Sequence, residues 1–392
     1  MLRSLALPVY LPAFFINGGT AMLVPLLPLY LADVGLSDST LGLVIGAAGL
    51  GGMVSQIPWG RLIDRTSENV VLVLAVLMIA ASVAVFGVIG SAIALGALRF
   101  VGGAGQSGWI LSRQTFLTHA TDAPTRGKAM ALFGGTSRTA FLVGPVVAGI
   151  VAEVAGFATA FLLSAVVTGI GVLPLLLWRQ TVQREVAVAS APSKRPSLRP
   201  HLRSLVLAGT GQILVIAVRP GRFVVLPLVG DSVGLSESEV GFLIGLSGLA
   251  DLVLFPVSGF LMDRFGRLFA IVPAFSLMGV GLFMLAASDT GTSVTLAAIV
   301  IGIGNGLGSG TMLTLSADLA PLTAPSGFLA ALGTIRDVGK IAGPVVVGVV
   351  TDSASLPVSA VVLGTTSLLA AAVIVFGIGE TLHRSTPELA VR

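Results

Sequence analysis

The sequence predicts an all-α membrane protein with twelve transmembrane helices in two pseudo-symmetric six-helix halves. Three observations predict it. Hydrophobic residues make up 55% of the 392 positions and charged residues 10%, whereas a soluble domain carries about 25% charge. Twelve apolar stretches are each long enough to cross a bilayer. The second half repeats the first at a constant offset of 199 residues. This composition excludes water-soluble enzyme classes, which could not cover their surface, and disorder, which needs high charge and low hydrophobicity. The absence of cysteine removes disulfides, thiolate metal sites and cysteine nucleophiles.

A helix crossing the hydrocarbon needs roughly 20 apolar residues. Span 1 covers 7–32 and ends at Asp33. Span 2 covers 40–60 and meets the charged run from Arg61. Spans 3 and 4 cover 70–90 and 92–118. Spans 5 and 6 cover 128–151 and 158–178, separated at Glu153. The connection 179–203 is polar and rich in Ser, Pro and Arg. Spans 7 and 8 cover 204–230 and 238–259, spans 9 and 10 cover 269–288 and 293–317, and spans 11 and 12 cover 326–350 and 357–378. The other connections are short, as antiparallel neighbours require.

Charge sets the orientation. Sixteen of the 22 Lys and Arg residues fall on one side: Arg3, Arg61, Arg65, Arg113, Arg126, Lys128, Arg179, Arg184, Lys194, Arg195, Arg199, Arg203, Arg264, Arg267, Arg384 and Arg392. The opposite loops hold none and carry Asp33, Asp38, Glu153, Asp231, Glu237, Asp289 and Asp352. The positive-inside rule then places both termini and the 179–203 loop in the cytoplasm, for a multi-pass protein of the inner (plasma) membrane. Arg3 before an apolar run imitates a signal peptide, but the end of span 1 has a copy in the second half, which marks it as a structural helix.

That copy belongs to a gapless repeat. Val34-Gly35-Leu36-Ser37 recurs as Val233-Gly234-Leu235-Ser236. Across 41–65 and 240–264 ten of 25 positions are identical, and Gly144-Pro145 recurs as Gly343-Pro344. The expected organisation is a first six-helix half over 1–178, a linker over 179–203, and a second half over 204–392 with a short tail. An even helix count gives both halves the same orientation, so their symmetry axis lies along the membrane normal, as in parallel-repeat transporters.

Gly60-Arg61-Leu62-Ile63-Asp64-Arg65 closes span 2, and Gly259-Phe260-Leu261-Met262-Asp263-Arg264-Phe265-Gly266-Arg267 closes span 8. An aspartate there can accept hydrogen bonds from a neighbouring helix start, where the dipole favours an anion. The adjacent arginines can pair with acids or lipid phosphates, or can serve topology alone. In span 5, Gly135-x8-Gly144-Pro145-x3-Gly149 combines a lost backbone hydrogen bond with close helix approach. On these motifs the whole chain resembles the major facilitator superfamily, and the span 5 motif is similar to that of its drug/proton antiporters. Ser67 and Glu68 depart from the family's Gly and basic residue, and Ala148-Gly149 departs from its paired Gly. The resemblance implies a major facilitator fold, with spans 1, 4, 7 and 10 around a central cavity and spans 3, 6, 9 and 12 outside. It also implies gating roles for Asp64, Arg65, Asp263, Arg264, Gly144 and Pro145.

Gly103-Ala104-Gly105-Gln106-Ser107-Gly108 matches a dinucleotide fingerprint but lies inside an apolar span, without the preceding strand that fingerprint needs. No cofactor, metal site or enzyme activity is expected. Ionisable residues inside spans are costly and mark function: Arg99, Arg138, Arg219, Arg222, Asp251, Arg336, Asp337 and Lys340. With Asn17, Gln106 and Asn305 they form the expected interior lining, and spans 3, 6, 9 and 12 carry none of them. Six cations against two acids point to an anionic or partly anionic substrate, although some arginines can instead bond helix carbonyls. Arginine does not release its proton, so any coupling falls to Asp251 and Asp337. The expected function is secondary transport of a small organic solute by a monomer in the bilayer, with proton antiport and efflux as the mode. Uptake or facilitated passage of an organic anion, and a non-transporting receptor, are the alternatives. Nucleic acid is not an expected partner.

Overall fold

In the computed structural model the described residues are 5–121, 123–174, 199–321 and 325–382. Most of the expected 179–203 linker, with Arg179, Arg184, Lys194 and Arg195, lies outside them, as do Arg3, Arg384 and Arg392. All regular elements among the described residues are helical. The helices are α1 (Leu11–Asp33), α2 (Asp38–Arg65), α3 (Glu68–Ala84) and α4 (Ala92–Ala120). A long helix Ala123–Ile170 is broken at Gly156, whose φ of 82° only glycine adopts readily, into α5 (123–155) and α6 (157–170). Then follow α7 (Leu202–Ser232), α8 (Glu237–Arg264), α9 (Arg267–Ala286) and α10 (Gly291–Leu307), the last resuming as Thr311–Leu319. The series ends with α11 (Pro325–Ser353) and α12 (Leu356–Ala372), extended by a π-helical turn over Val373–Ile378.

Nine stretches of the described residues are long and apolar enough to cross a membrane. One of them is the rod broken at Gly156. The two long helices outside that set, α4 and α11, carry Arg99 with Arg113, and Arg336, Asp337 and Lys340. The set is consistent with twelve spans, and the chain is a multi-pass membrane protein.

Side-chain caps start several helices. The Ser37 hydroxyl accepts from the Thr40 N–H, and Ser236 forms a capping box with Glu239. Ser67, Thr290 and Ser355 cap α3, α10 and α12 in the same way. Prolines 25, 28, 220 and 227 sit inside α1 and α7, where packing against neighbouring helices compensates for the missing donors.

The first six helices pack together and the last six pack together, with two long seams between the sets, α2 against α11 and α5 against α8. α3, α9 and α12 pack on helices of their own set. Leu77, Leu162, Val280 and Leu369 leave apolar faces of α3, α6, α9 and α12 exposed, as a lipid-facing position requires.

The seams bring backbones together at the acidic end. At the acidic end a Cβ on Gly42 would overlap the Pro344 carbonyl oxygen, and one on Gly241 would overlap that of Pro145. Gly348 and Gly149 meet the carbonyls of Asp38 and Glu237 in the same way. At the basic end a Cβ on Gly60 or Gly259 would meet nothing within 4 Å. The two sets thus meet backbone to backbone at the acidic end, and these two glycines of the basic end make no such contact.

Candidate functional site: a cation-lined cavity between two seams

A cavity of about 500 Å³ lies between the two helix sets. Its apolar wall comes from α1 and α2, through Leu23, Val24, Leu27 and Ile45, with Phe223 of α7 opposite. Its polar wall holds Gln56, Arg99, Gln106, Gln114, Arg336 and Lys340. Asp and Glu are absent from the lining among the described residues. Arg99 and Arg336 have no hydrogen bond or ion pair among those residues, and the buried Gln106 Oε1 has no partner.

Lys340 is partly neutralised. Its Nζ lies 2.7 Å from Asp337 Oδ1, one helical turn away on α11. Asp337 is buried at 2% exposure, while the Lys340 side chain is 48% exposed. The second Asp337 oxygen accepts from Gln56 Nε2 on α2, across the seam.

The other interior charges form a second group beside the α5–α8 seam. Arg138 on α5 makes an ion pair with Asp251 on α8 at 3.6 Å, too long for a hydrogen bond. Its guanidinium donates to the Ser309 hydroxyl at 2.9 Å and the Gly134 carbonyl at 3.2 Å, and lies 4.1 Å from the Phe255 ring centroid. The break in α10 supplies Ser309, and with it Gly308. Ser309 Oγ is 3.2 Å from Asp251 Oδ1, and the Gly308 carbonyl accepts from Arg219 at 2.8 Å. Arg222 is buried and lies over Phe223 at 4.4 Å, with Nε and Nη1 unbonded. Arg219 and Arg222 both lie within electrostatic reach of Asp251.

Of the residues the sequence singles out, Arg99, Gln106, Arg336 and Lys340 therefore share the cavity. Arg138, Arg219, Arg222 and Asp251 gather at the second group. Asn17 is spent on α1–α5 packing, donating to the Ala13 carbonyl and to Ser137 Oγ. Asn305 is buried in α10 with its Oδ1 unpartnered. The repeat register explains the two groups. Position 138 maps onto 337, and 56 onto 255, so Arg138 on Phe255 and Asp337 on Gln56 are one inter-helix joint built from different chemistry. Gln56 and Ser309 were not singled out: a lone amide or hydroxyl in an apolar span has no periodic signal.

The motif residues divide by place. Gly144 packs α5 against the Gly18 carbonyl of α1, and its repeat mate Gly343 packs α11 against Ala217 of α7. The Pro145 and Pro344 carbonyls face the opposite helix set. Asp64 and Arg65 are exposed at the basic end. Asp263 is 84% exposed and pairs with Arg267 of its own set at 3.7 Å. Arg264 lies 5.8 Å from the Phe260 and Phe265 rings.

Arg267 braces this end. It binds Asp318 at 2.8 Å and the Met262 carbonyl at 2.8 Å. Its N–H and that of Leu268 donate to Glu380 at 2.9 and 3.0 Å. Burial alone would push the Glu380 carboxyl up, but the backbone N–H groups of Leu268, Leu382, Arg267 and Thr381 outweigh it and hold the group below the usual carboxylate range. In the first set the polarity is reversed. The cation is Arg113 on α4, fully buried, donating to Asn69 at 3.0 Å beside Glu68. The departure at Glu68 is thus an exchange of acid and base between helix and loop.

The Major Facilitator Superfamily family model matches residues 9–218 and again 210–390. An uncharacterised MFS-type transporter of Methanocaldococcus jannaschii is 20% identical over 352 residues, 88% of this chain and 90% of that protein. The quinolone resistance protein NorA of Staphylococcus aureus is 31% identical over 149 residues, 37% of this chain and 38% of NorA. Among solved structures, the nucleoside transporter NupG superposes with a TM-score of 0.80 at 14% identity, covering 96% of this chain and 100% of that one. A bacterial homologue of the human lysosomal transporter Spinster, inward-facing and occupied, superposes at 0.79 and 15% identity, covering 98% and 99%. At these identities the structural likeness shows the fold alone.

Proposed function

Because this chain belongs to the major facilitator superfamily, we propose that it is a secondary active transporter that exports a small organic solute in exchange for protons, by rocking two six-helix halves around the cavity. The observation that carries this reading is a solute-sized cavity between two helix sets whose backbones meet at the acidic end and make no such contact at Gly60 and Gly259 of the basic end. With the basic end in the cytoplasm, as the positive-inside rule directs, this is an inward-open state of a plasma-membrane protein with cytoplasmic termini. The partial likeness to NorA, a quinolone resistance protein, supports efflux, as does the Gly144-Pro145 motif. Asp251 and Asp337 stand at the two seams, where a carboxylate can exchange a protein partner for a proton as the halves move.

A second reading is favoured by one observation. The cavity is lined by Arg99, Arg336 and Lys340 and by no acid among the described residues, so an organic anion fits it better than a lipophilic cation does. Reconstitution into proteoliposomes tests both readings. A pH-sensitive dye reports dissipation of an imposed gradient while a panel of organic anions and lipophilic cations is added. Proton-coupled export predicts gradient collapse on addition of a transported compound. Flux of an anion with no proton movement supports facilitated passage instead. Specific binding with no flux of any compound leaves a receptor.

A further inference from the structure

Two carboxylates at the acidic end reach from one helix set to the other, and neither belongs to a motif. Asp352, at the end of α11, accepts the Asp38 N–H at 3.0 Å with one oxygen and the Ser39 N–H at 2.8 Å with the other. Both donors lie in the first turn of α2. Glu153, at the end of α5, accepts the Ser238 N–H at 3.1 Å in the first turn of α8. Under the offset of 199, Glu153 maps onto Asp352, and Ser39 onto Ser238. The same contact is made twice, each time with the acid on one helix set and the helix start on the other.

The first N–H groups of a helix have no partner within it and carry the positive end of its dipole. Ser37 and Ser236 already cap α2 and α8 through the N–H groups of Thr40 and Glu239. The donors at 38, 39 and 238 are left over. Water could satisfy them, so the fold of either set does not require the distant acids. The contacts exist only while the seams are closed at this end, immediately above the places where Gly42, Gly348, Gly149 and Gly241 let the backbones touch.

We propose that Glu153 and Asp352 are gating residues: paired carboxylate latches, one at each seam, that hold the acidic face shut and release when the cavity turns to that side. The proposal rests on the alternating-access reading above. It adds that the closed state at this face is favoured by charge on the latches, through their pull on the helix dipoles.

The test uses the lack of native cysteine. Thr20 lines the cavity, so a Thr20→Cys thiol can be labelled from either face, in right-side-out or inside-out vesicles, with a membrane-impermeant reagent. Glu153→Gln and Asp352→Asn keep an acceptor but lose the charge. For exposed groups a charge–dipole contact lies at the weak end of its range, roughly a twofold effect. Each single variant should raise the labelling rate from the acidic face about twofold, and the double variant about fourfold. Labelling from the basic face should fall, because the two openings alternate. Glu153→Asp and Asp352→Glu should lie close to the parent. A variant that is merely destabilised would label faster from both faces, and that result overturns the proposal. A Gly42→Leu wedge separates the proposal from the reading beneath it. If the wedge shifts labelling from the basic to the acidic face while the carboxylate variants leave it unmoved, the latch is overturned and alternating access stands. If the wedge produces no reciprocal shift either, both fall.

Discussion

Asp251 and Asp337 are both interior aspartates at a seam, yet their substitution should have different consequences. Asp337 is paired with Lys340 on its own helix, so its cation travels with it as the halves move. Asp251 is paired with Arg138 across the seam and loses that partner when the seam opens, retaining only the more distant Arg219 and Arg222. Removing one partner of a fully buried pair costs about 3–5 kcal/mol. Lys340 is 48% exposed to the cavity and can turn to water, and asparagine still accepts from Gln56. Asp337→Asn should therefore cost about 1.5–3 kcal/mol, the range for a hydrogen bond to a charged group. In Asp251→Asn, Arg138 keeps Ser309, the Gly134 carbonyl and the Phe255 ring, so the loss should be only about 0.5–1 kcal/mol. Transport should show the opposite order. If Asp251 trades an arginine for a proton as proposed, Asp251→Asn should abolish transport driven by a pH gradient yet spare substrate exchange at equal pH. Asp337→Asn should weaken folding or substrate binding, with residual transport still responding to pH. The assay is one preparation of each variant, reconstituted, melted, and measured with and without a gradient. Full pH-driven transport by Asp251→Asn, or a larger stability loss in that variant than in Asp337→Asn, would remove the distinction between the two aspartates.

Other perturbations separate brace, gate and lipid face. Arg267→Ala leaves the part-buried Asp318 without its cation and should cost about 1.5–3 kcal/mol, read as a lower melting temperature; an unchanged melt would remove the brace. Asp263→Asn should impair transport at least as much as Asp64→Asn while both variants insert, and wild-type flux in both would leave these residues a topological role only. Leu77→Lys, on the exposed face of α3, should reduce insertion by about 2.5–3.5 kcal/mol, whereas normal insertion would place that face away from lipid. Glu380 is held below the usual carboxylate range by backbone donors, so its stabilisation of the α9 start is present above about pH 4 and lost as pH falls through its lowered value. The protection factor of the Leu268 amide, with the intrinsic pH dependence of exchange divided out, should therefore fall in acid in the parent and be low at all pH values in Glu380→Gln.

The span positions and the repeat were legible because both are one-dimensional signals, apolar length and a fixed offset. The helix break falls at Gly156, three residues beyond the Glu153 at which the sequence separates spans 5 and 6. The grouping of the interior charges was not legible. Arg138 sits on α5 and Asp251 on α8, 113 positions apart, and only the seam brings them together. The polarity exchange between Arg113 and Arg267 was visible only as a departure at Glu68, since the compensating cation lies on another helix. Glu153 and Asp352 read in sequence as ordinary loop acids, because their partners are backbone N–H groups, which carry no residue signature.

Transport by rocking halves requires the acidic and basic ends to open in alternation around one cavity. Spin labels at Ala32→Cys with Ser232→Cys report the acidic end, and labels at Thr66→Cys with Phe265→Cys report the basic end. The distance distributions of both pairs, measured in lipid nanodiscs with and without the Gly42→Leu wedge, test the claim most directly. The wedge should lengthen the acidic-end distance while the basic-end distance shortens. Movement of both pairs in the same direction, or a change at one end alone, would contradict it.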